Sequence, residues 1–124
     1  MTKKDALNWF ELYVTDLARA KKFYENILQT QMQEVNAGTT PMAIFPYENE
    51  QGVGGSLTMM EVVPPGAGGT IIYLNVEGDL DGVISRIPAA GGMILRPRLA
   101  IGEHGFIAVF KDSEGNVVGL HSTV

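Results

Sequence analysis

Trp9-Phe10-Glu11-Leu12-Tyr13-Val14-Thr15-Asp16-Leu17-Ala18-Arg19-Ala20 changes its hydrophobic period in the middle. Up to Val14 it alternates, with Trp9, Glu11 and Tyr13 on one face and Phe10, Leu12 and Val14 on the other, as a strand does. Asp16 is a good N-cap residue, and Leu17, Ala20, Tyr24, Ile27 and Leu28 then recur at helical spacing. Arg19, Lys21, Lys22 and Glu25 fall mostly on the other side, so the helix is amphipathic and lies on something apolar.

Three shorter strands are expected at about 31–36, 41–45 and 55–61, punctuated by Gly38, Pro41, Pro46 and Gly52. Pro64-Pro65-Gly66-Ala67-Gly68-Gly69 is a turn-rich linker, after which the order begins again. Residues 71–76 form a strand, and Asp79 caps a helix carrying Leu80, Val83, Ile84 and Ile87. Strands at 92–96, 106–110 and 117–122 follow. Pro88 lacks an amide donor and is expected to end or kink the second helix near Ile87. Glu11-Leu12-Tyr13-Val14 with Asp16-Leu17 can be laid on Tyr73-Leu74-Asn75-Val76 with Asp79-Leu80, one residue being added in the second turn. The fold class is therefore α+β, two tandem βαβββ modules.

A chain of 124 residues suffices for one globular domain, 1–124, with modules at about 6–62 and 69–124. Nine Lys and Arg against fourteen Asp and Glu leave a formal charge of −5, which offers no cationic field for a nucleic acid. Met1-Thr2-Lys3-Lys4-Asp5 lacks the apolar run of a signal peptide, and no stretch approaches the roughly 18 apolar residues of a membrane span. The expected setting is soluble and cytoplasmic, with no membrane partner. Zero cysteines exclude disulfides, thiolate metal sites and a cysteine nucleophile.

The opening strand and helix from Trp9 to Ala20, followed by Phe23-Tyr24, resemble those of the vicinal-oxygen-chelate superfamily, which includes glyoxalase I, extradiol dioxygenases, and bleomycin- and fosfomycin-resistance proteins. Ala89-Ala90-Gly91-Gly92 resembles the turn after that family's second helix, and Phe110-Lys111-Asp112-Ser113-Glu114-Gly115-Asn116 with Gly119-Leu120-His121 is similar to its closing hairpin. The resemblance spans nearly the whole chain. It implies a cup-shaped mixed sheet with helices packed outside, a small-molecule ligand inside the cup, and a homodimer.

Glyoxalase-type relatives hold one divalent metal through side chains from the first and last strand of each module. Such an ion needs several oxygen or nitrogen ligands at about 2.0–2.2 Å. The matching positions here are Trp9, Ser56, Ile71 and Gly119, of which only the Ser56 hydroxyl is even a weak donor. No metal and no other cofactor is therefore expected. Two residues further along each strand, the next inward layer is Glu11, Thr58, Tyr73 and His121. A carboxylate, a phenol and an imidazole there either position a polar ligand, act as acid and base, or simply fill the cup. A displaced metal site using Glu11 and His121 is a further alternative, with Tyr73 an uncommon third ligand.

Trp9 either stacks a planar ligand or plugs the cup. Met32, Met42, Met59, Met60 and Met93 are expected mainly as core fillers. Gly102-Glu103-His104-Gly105 is a candidate flap that brings His104 to a ligand, and Arg96 and Arg98 either recognise an anion or are solvated. Gly52-Val53-Gly54-Gly55 has no following Lys-Ser or Lys-Thr and is a loop with an irregular strand start rather than a phosphate loop. Three functions follow: metal-independent binding of a small organic molecule, a lyase or isomerase using Glu11 with His121 or Tyr73, or a non-catalytic dimerising module.

Overall fold

The structure is a computed structural model that describes residues 7–48, 51–60 and 64–124. The first module runs β1 (Trp9–Tyr13), α1 (Leu17–Leu28), β2 (Gln33–Ala37), β3 (Thr40–Ile44) and β4 (Gly54–Thr58). The second runs β5 (Tyr73–Asn75), α2 (Leu80–Ala90), β6 (Met93–Ala100), a 3₁₀ turn (Gly102–His104), β7 (Phe106–Lys111) and β8 (Val117–Ser122). The strand order is β1-β4-β3-β2 in one sheet and β5-β8-β7-β6 in the other. In both, the first strand runs parallel to the last and the rest pair antiparallel, so the modules repeat in topology as well as in element order. The strands form two four-stranded mixed sheets, and β1 and β5 end their sheets without pairing to each other.

Local chemistry places α1 where the periodicity predicts it. The Asp16 carboxylate accepts from the Arg19 amide at 3.0 Å, and Leu17, Ala20, Phe23, Tyr24 and Ile27 are buried. Asp79 stands at the N-cap position of α2 but makes no side-chain cap bond. Its carboxylate instead accepts from Arg86 Nη2 at 2.7 Å.

α2 runs past the expected end near Ile87 and continues to Ala90. Pro88 sits in the last turn, where the missing amide removes only one helical bond. Gly91, at φ 109°, then closes the helix: its amide donates to the Pro88 carbonyl, and Gly92 donates to Ile87.

One apolar cluster joins the modules, with α1 on β3 and β4, α2 on β6, β7 and β8, and the helices packed on each other. At its centre Tyr24 is fully buried, edge-on to Phe23 and Phe45 at 5.0 and 5.4 Å between ring centroids. Its hydroxyl donates to Asp112 Oδ2 at 2.8 Å. Asp112 begins the β7–β8 turn, and that turn clasps the first module. Glu114 accepts from the Thr15 and Asp16 amides at 3.1 and 3.2 Å and from Arg19 Nε at 2.7 Å, while Asn116 Nδ2 donates to the Tyr13 carbonyl at 2.9 Å. Among the described residues no helix is long and apolar enough to cross a membrane.

Candidate functional site

Strand alternation puts Trp9, Glu11, Tyr13, Gly54, Ser56 and Thr58 on the face of the first sheet away from the helices. Tyr73, Asn75, Gly119 and His121 occupy the same face of the second. The layering differs from the sequence expectation. Glu11, not Trp9, lies opposite Ser56; Trp9 lies opposite Gly54, and Thr58 lies opposite Tyr13. Tyr73 lies opposite Gly119, and His121 opposite Asn75. In a parallel pair the two strands are joined by a long crossover, so no turn sets their stagger, and residue alternation predicts the face but not the level.

The polar candidates divide between local environments. Glu11 is exposed on β1 and accepts from the Tyr13 hydroxyl at 3.3 Å. Partial desolvation and then the Glu11 carboxylate push the Tyr13 phenol above its ordinary value. Ser56 and Thr58 are fully buried, and their hydroxyls hydrogen-bond each other at 2.8 Å. His121 belongs to the other sheet, where its Nε2 lies 2.7 Å from the His104 carbonyl. A carbonyl only accepts, so Nε2 carries the proton and is committed to holding the 102–104 turn. His104 joins this contact through its backbone, while its imidazole is exposed with Nε2 3.8 Å from Glu103 Oε1. Glu11 and His121 thus have separate partners. Among the described residues no three His, Asp or Glu side chains gather where they could hold a metal ion.

The family's four metal positions do not fit an ion. Trp9 presents its indole to Tyr47, edge-on at 6.0 Å, and Ile71 is a hydrocarbon. Ser56 is engaged with Thr58. Over Gly119 lies the Tyr73 ring, into which a Cβ at Gly119 would run. The same device recurs in the first module, where the Tyr47 ring occupies the space a Cβ on Gly54 would need and the Phe10 ring that of Gly55. Each glycine is thus a floor on which an aromatic ring lies against strand backbone.

A cleft of about 1200 Å³, bordered by these rings, opens between the modules. Phe10, Phe45 and Tyr47 line it from the first module, with Tyr73, Ile71 and Val83 from the second. Consecutive residues from Thr70 to Glu77 border it, so β5 presents its open edge along one wall. Of the sequence-derived candidates, Tyr73 and Ile71 line this cleft. Glu11 lines a separate hollow of about 320 Å³ with Tyr13, Pro64 and Asn116. Tyr47, Phe10 and Phe45 were not singled out from the sequence. The available signal was Gly54-Gly55 at the start of a strand, since glycines inside strands mark a close approach by another group.

The remaining candidates are plainer. Arg98 pairs with Asp81 at 3.3 Å and lies 4.0 Å over the Phe106 ring, away from the cleft lining. Met32 and Met42 are buried as core fillers, whereas Met59 and Met93 are exposed.

Residues 6–120 match the family profile described as Glyoxalase/Bleomycin resistance protein/Dioxygenase superfamily. A glyoxylase-like domain-containing protein of Didymella fabae is 30% identical over 121 residues, covering 89% of this chain and 88% of its own. CFP32 of Mycobacterium tuberculosis, which carries a glyoxylase name, is 28% identical over 118 residues; the match takes in 91% of this chain but only 44% of that protein. Among solved structures, a glyoxalase-related enzyme from Fulvimarina pelagi superposes with a TM-score of 0.69 at 18% identity, covering 94% of this chain and 86% of that one. The fosfomycin resistance protein FosX of Listeria monocytogenes gives 0.67 at 18% identity, covering 98% and 94%. With the βαβββ repeat and the profile covering nearly its whole length, the chain belongs to the Glyoxalase/Bleomycin resistance protein/Dioxygenase superfamily.

Proposed function

We propose that this protein binds a small organic molecule in the cleft between its modules, without a metal at the family's usual ligand positions. The observation that carries the reading is the pair of glycine-floored rings, Tyr47 on Gly54 and Tyr73 on Gly119, facing a cleft large enough for a drug-sized ligand. Flat aromatic walls with few polar groups suit planar apolar bodies. The test is a thermal-shift screen of planar metabolites combined with elemental analysis of the purified protein. A binder is expected to raise the melting temperature, and Gly119→Ala, whose methyl displaces the Tyr73 ring, is expected to weaken that binder roughly tenfold. Because Tyr73 is 46% exposed and can swing outward, the substitution should leave the fold nearly as stable. A stoichiometric divalent ion, or full binding by Gly119→Ala, would defeat the reading.

The second reading is a lyase or isomerase with Glu11 as base and His121 or Tyr73 as acid partner. In its favour, Glu11 is exposed beside a phenol. Against His121 as the acid, its Nε2 proton is held by the His104 carbonyl.

We also infer a homodimer. Among the described residues β1 ends its sheet with no strand paired to its outer edge, and proteins cover such edges. Light scattering behind size-exclusion chromatography is expected to give twice the 13.4 kDa chain mass, and a monomer at all concentrations would exclude the pairing.

A further inference from the structure

The charge of the cleft selects its ligand. Its described lining includes two carboxylates, Glu77 and Asp79, and among the described lining residues there is no Lys, Arg or His. Asp79 is compensated, because Arg86 Nη2 sits 2.7 Å from its Oδ2. Glu77 accepts from the Thr123 amide at 2.8 Å and from the Thr123 hydroxyl, and no Lys or Arg pairs with it among the described residues. The hydroxyl and then the amide hold its carboxyl below the usual range, with His121 adding attraction, so it is ionised throughout the neutral region. Asn75, also in the lining, accepts from the Glu77 amide at 3.0 Å through its side-chain oxygen. Two tyrosine faces and one carboxylate with no Lys or Arg partner among the described residues, on a chain of formal charge −5, favour an incoming cation. An incoming anion would meet like charge without a described cationic donor.

We propose that the cleft takes a planar organic monocation, an aromatic body bearing a protonated amine, with the ring against Tyr73 or Tyr47 and the ammonium toward Glu77. The proposal rests on the ligand-binding reading of the cleft and adds the charge of the ligand to it.

Three naphthalenes of matched shape separate the possibilities by calorimetric titration at pH 7: 2-naphthylmethylamine, 2-naphthylmethanol and 2-naphthoate. The amine is expected to bind roughly five- to tenfold more tightly than the alcohol, with the carboxylate weakest, since cation–π and carboxylate contacts at a partly exposed site add modestly. The preference should shrink in high salt. Glu77→Gln should bring the amine-to-alcohol ratio close to one, and Tyr73→Leu should reduce it in part by removing a ring face. Carboxylate binding equal to or tighter than amine binding, or an unchanged ratio in Glu77→Gln, would overturn the charge inference while leaving the binding site in place. If none of the three binds, both the site and its charge preference are wrong.

Discussion

Asp112→Ala is expected to destabilise the protein by about 3–5 kcal/mol, a large share of the roughly 5–15 kcal/mol that holds a domain folded. Asp112 is only 4% exposed, and its carboxylate accepts four hydrogen bonds. They come from the Tyr24 hydroxyl at 2.8 Å, the Glu114 amide at 2.9 Å, the Asn116 amide at 2.8 Å and Asn116 Nδ2 at 3.2 Å. Removing the acceptor leaves the buried Tyr24 hydroxyl and the turn's amides without a partner. An unsatisfied buried donor costs about 1–3 kcal/mol. Burial, then the Asp112 charge, keeps the Tyr24 phenol well above its ordinary value, so it remains a donor at any working pH. Tyr24→Phe is the control: it keeps the ring among Phe23, Phe45 and Phe110 and removes one donor of the four. It should cost about 1–2 kcal/mol. Urea unfolding followed by circular dichroism reads both variants. If Asp112→Ala costs no more than Tyr24→Phe, the network does not hold the modules together.

Much of the scaffold was legible because the fold repeats simple periods. The alternation around Trp9–Tyr13 and the Asp16 cap both lie where the residues place them, and the restart after the glycine-rich linker corresponds to the second module. These signals are local, and they report what a few consecutive residues do. The departures arose where a residue outside the local pattern decides. Asp79 has the composition of a cap, yet Arg86, seven residues on, takes its carboxylate. Pro88 disfavours a helix interior, yet its position beside Gly91 turns that into a single lost bond at the helix end.

The candidate site was legible in face but not in contact. Alternation placed Trp9, Glu11, Tyr73 and His121 on the expected side, but only pairing registers give their levels, and those put Glu11 and His121 in different sheets. The Tyr47 ring reaches Gly54 from beyond the end of β3, a contact across a loop that no period encodes. The closing turn was recognisable only as a resemblance. Its physical role became plain once Asp112, Glu114 and Asn116 were seen binding the first module.

Glu114→Gln is expected to remove about 2–3 kcal/mol at neutral pH and to flatten the acid limb of the stability curve. Desolvation by itself would raise this carboxyl, whose side chain is wholly shielded from solvent. Donors from Arg19, the Thr15 and Asp16 amides and the Thr15 hydroxyl overcome that and lower it from 4.5 to about 2. A folded-state value below the unfolded one means that the stabilisation is complete above about pH 4.5 and is lost as pH falls toward 2. The full shift would correspond to roughly 3 kcal/mol, and a discount is due because the Arg19 side chain is 54% exposed and its charge is screened. The neutral amide of the Gln variant can still accept from the Thr15 and Asp16 amides, but it loses the charge that draws Arg19 and does not titrate. Wild type and variant should therefore differ at pH 7 and converge by about pH 2, in denaturant midpoints taken at half-unit steps. Parallel curves across that range would mean that the Glu114 carboxylate has the same proton affinity in the folded and unfolded chain, and that the α1 terminus is held by backbone geometry alone.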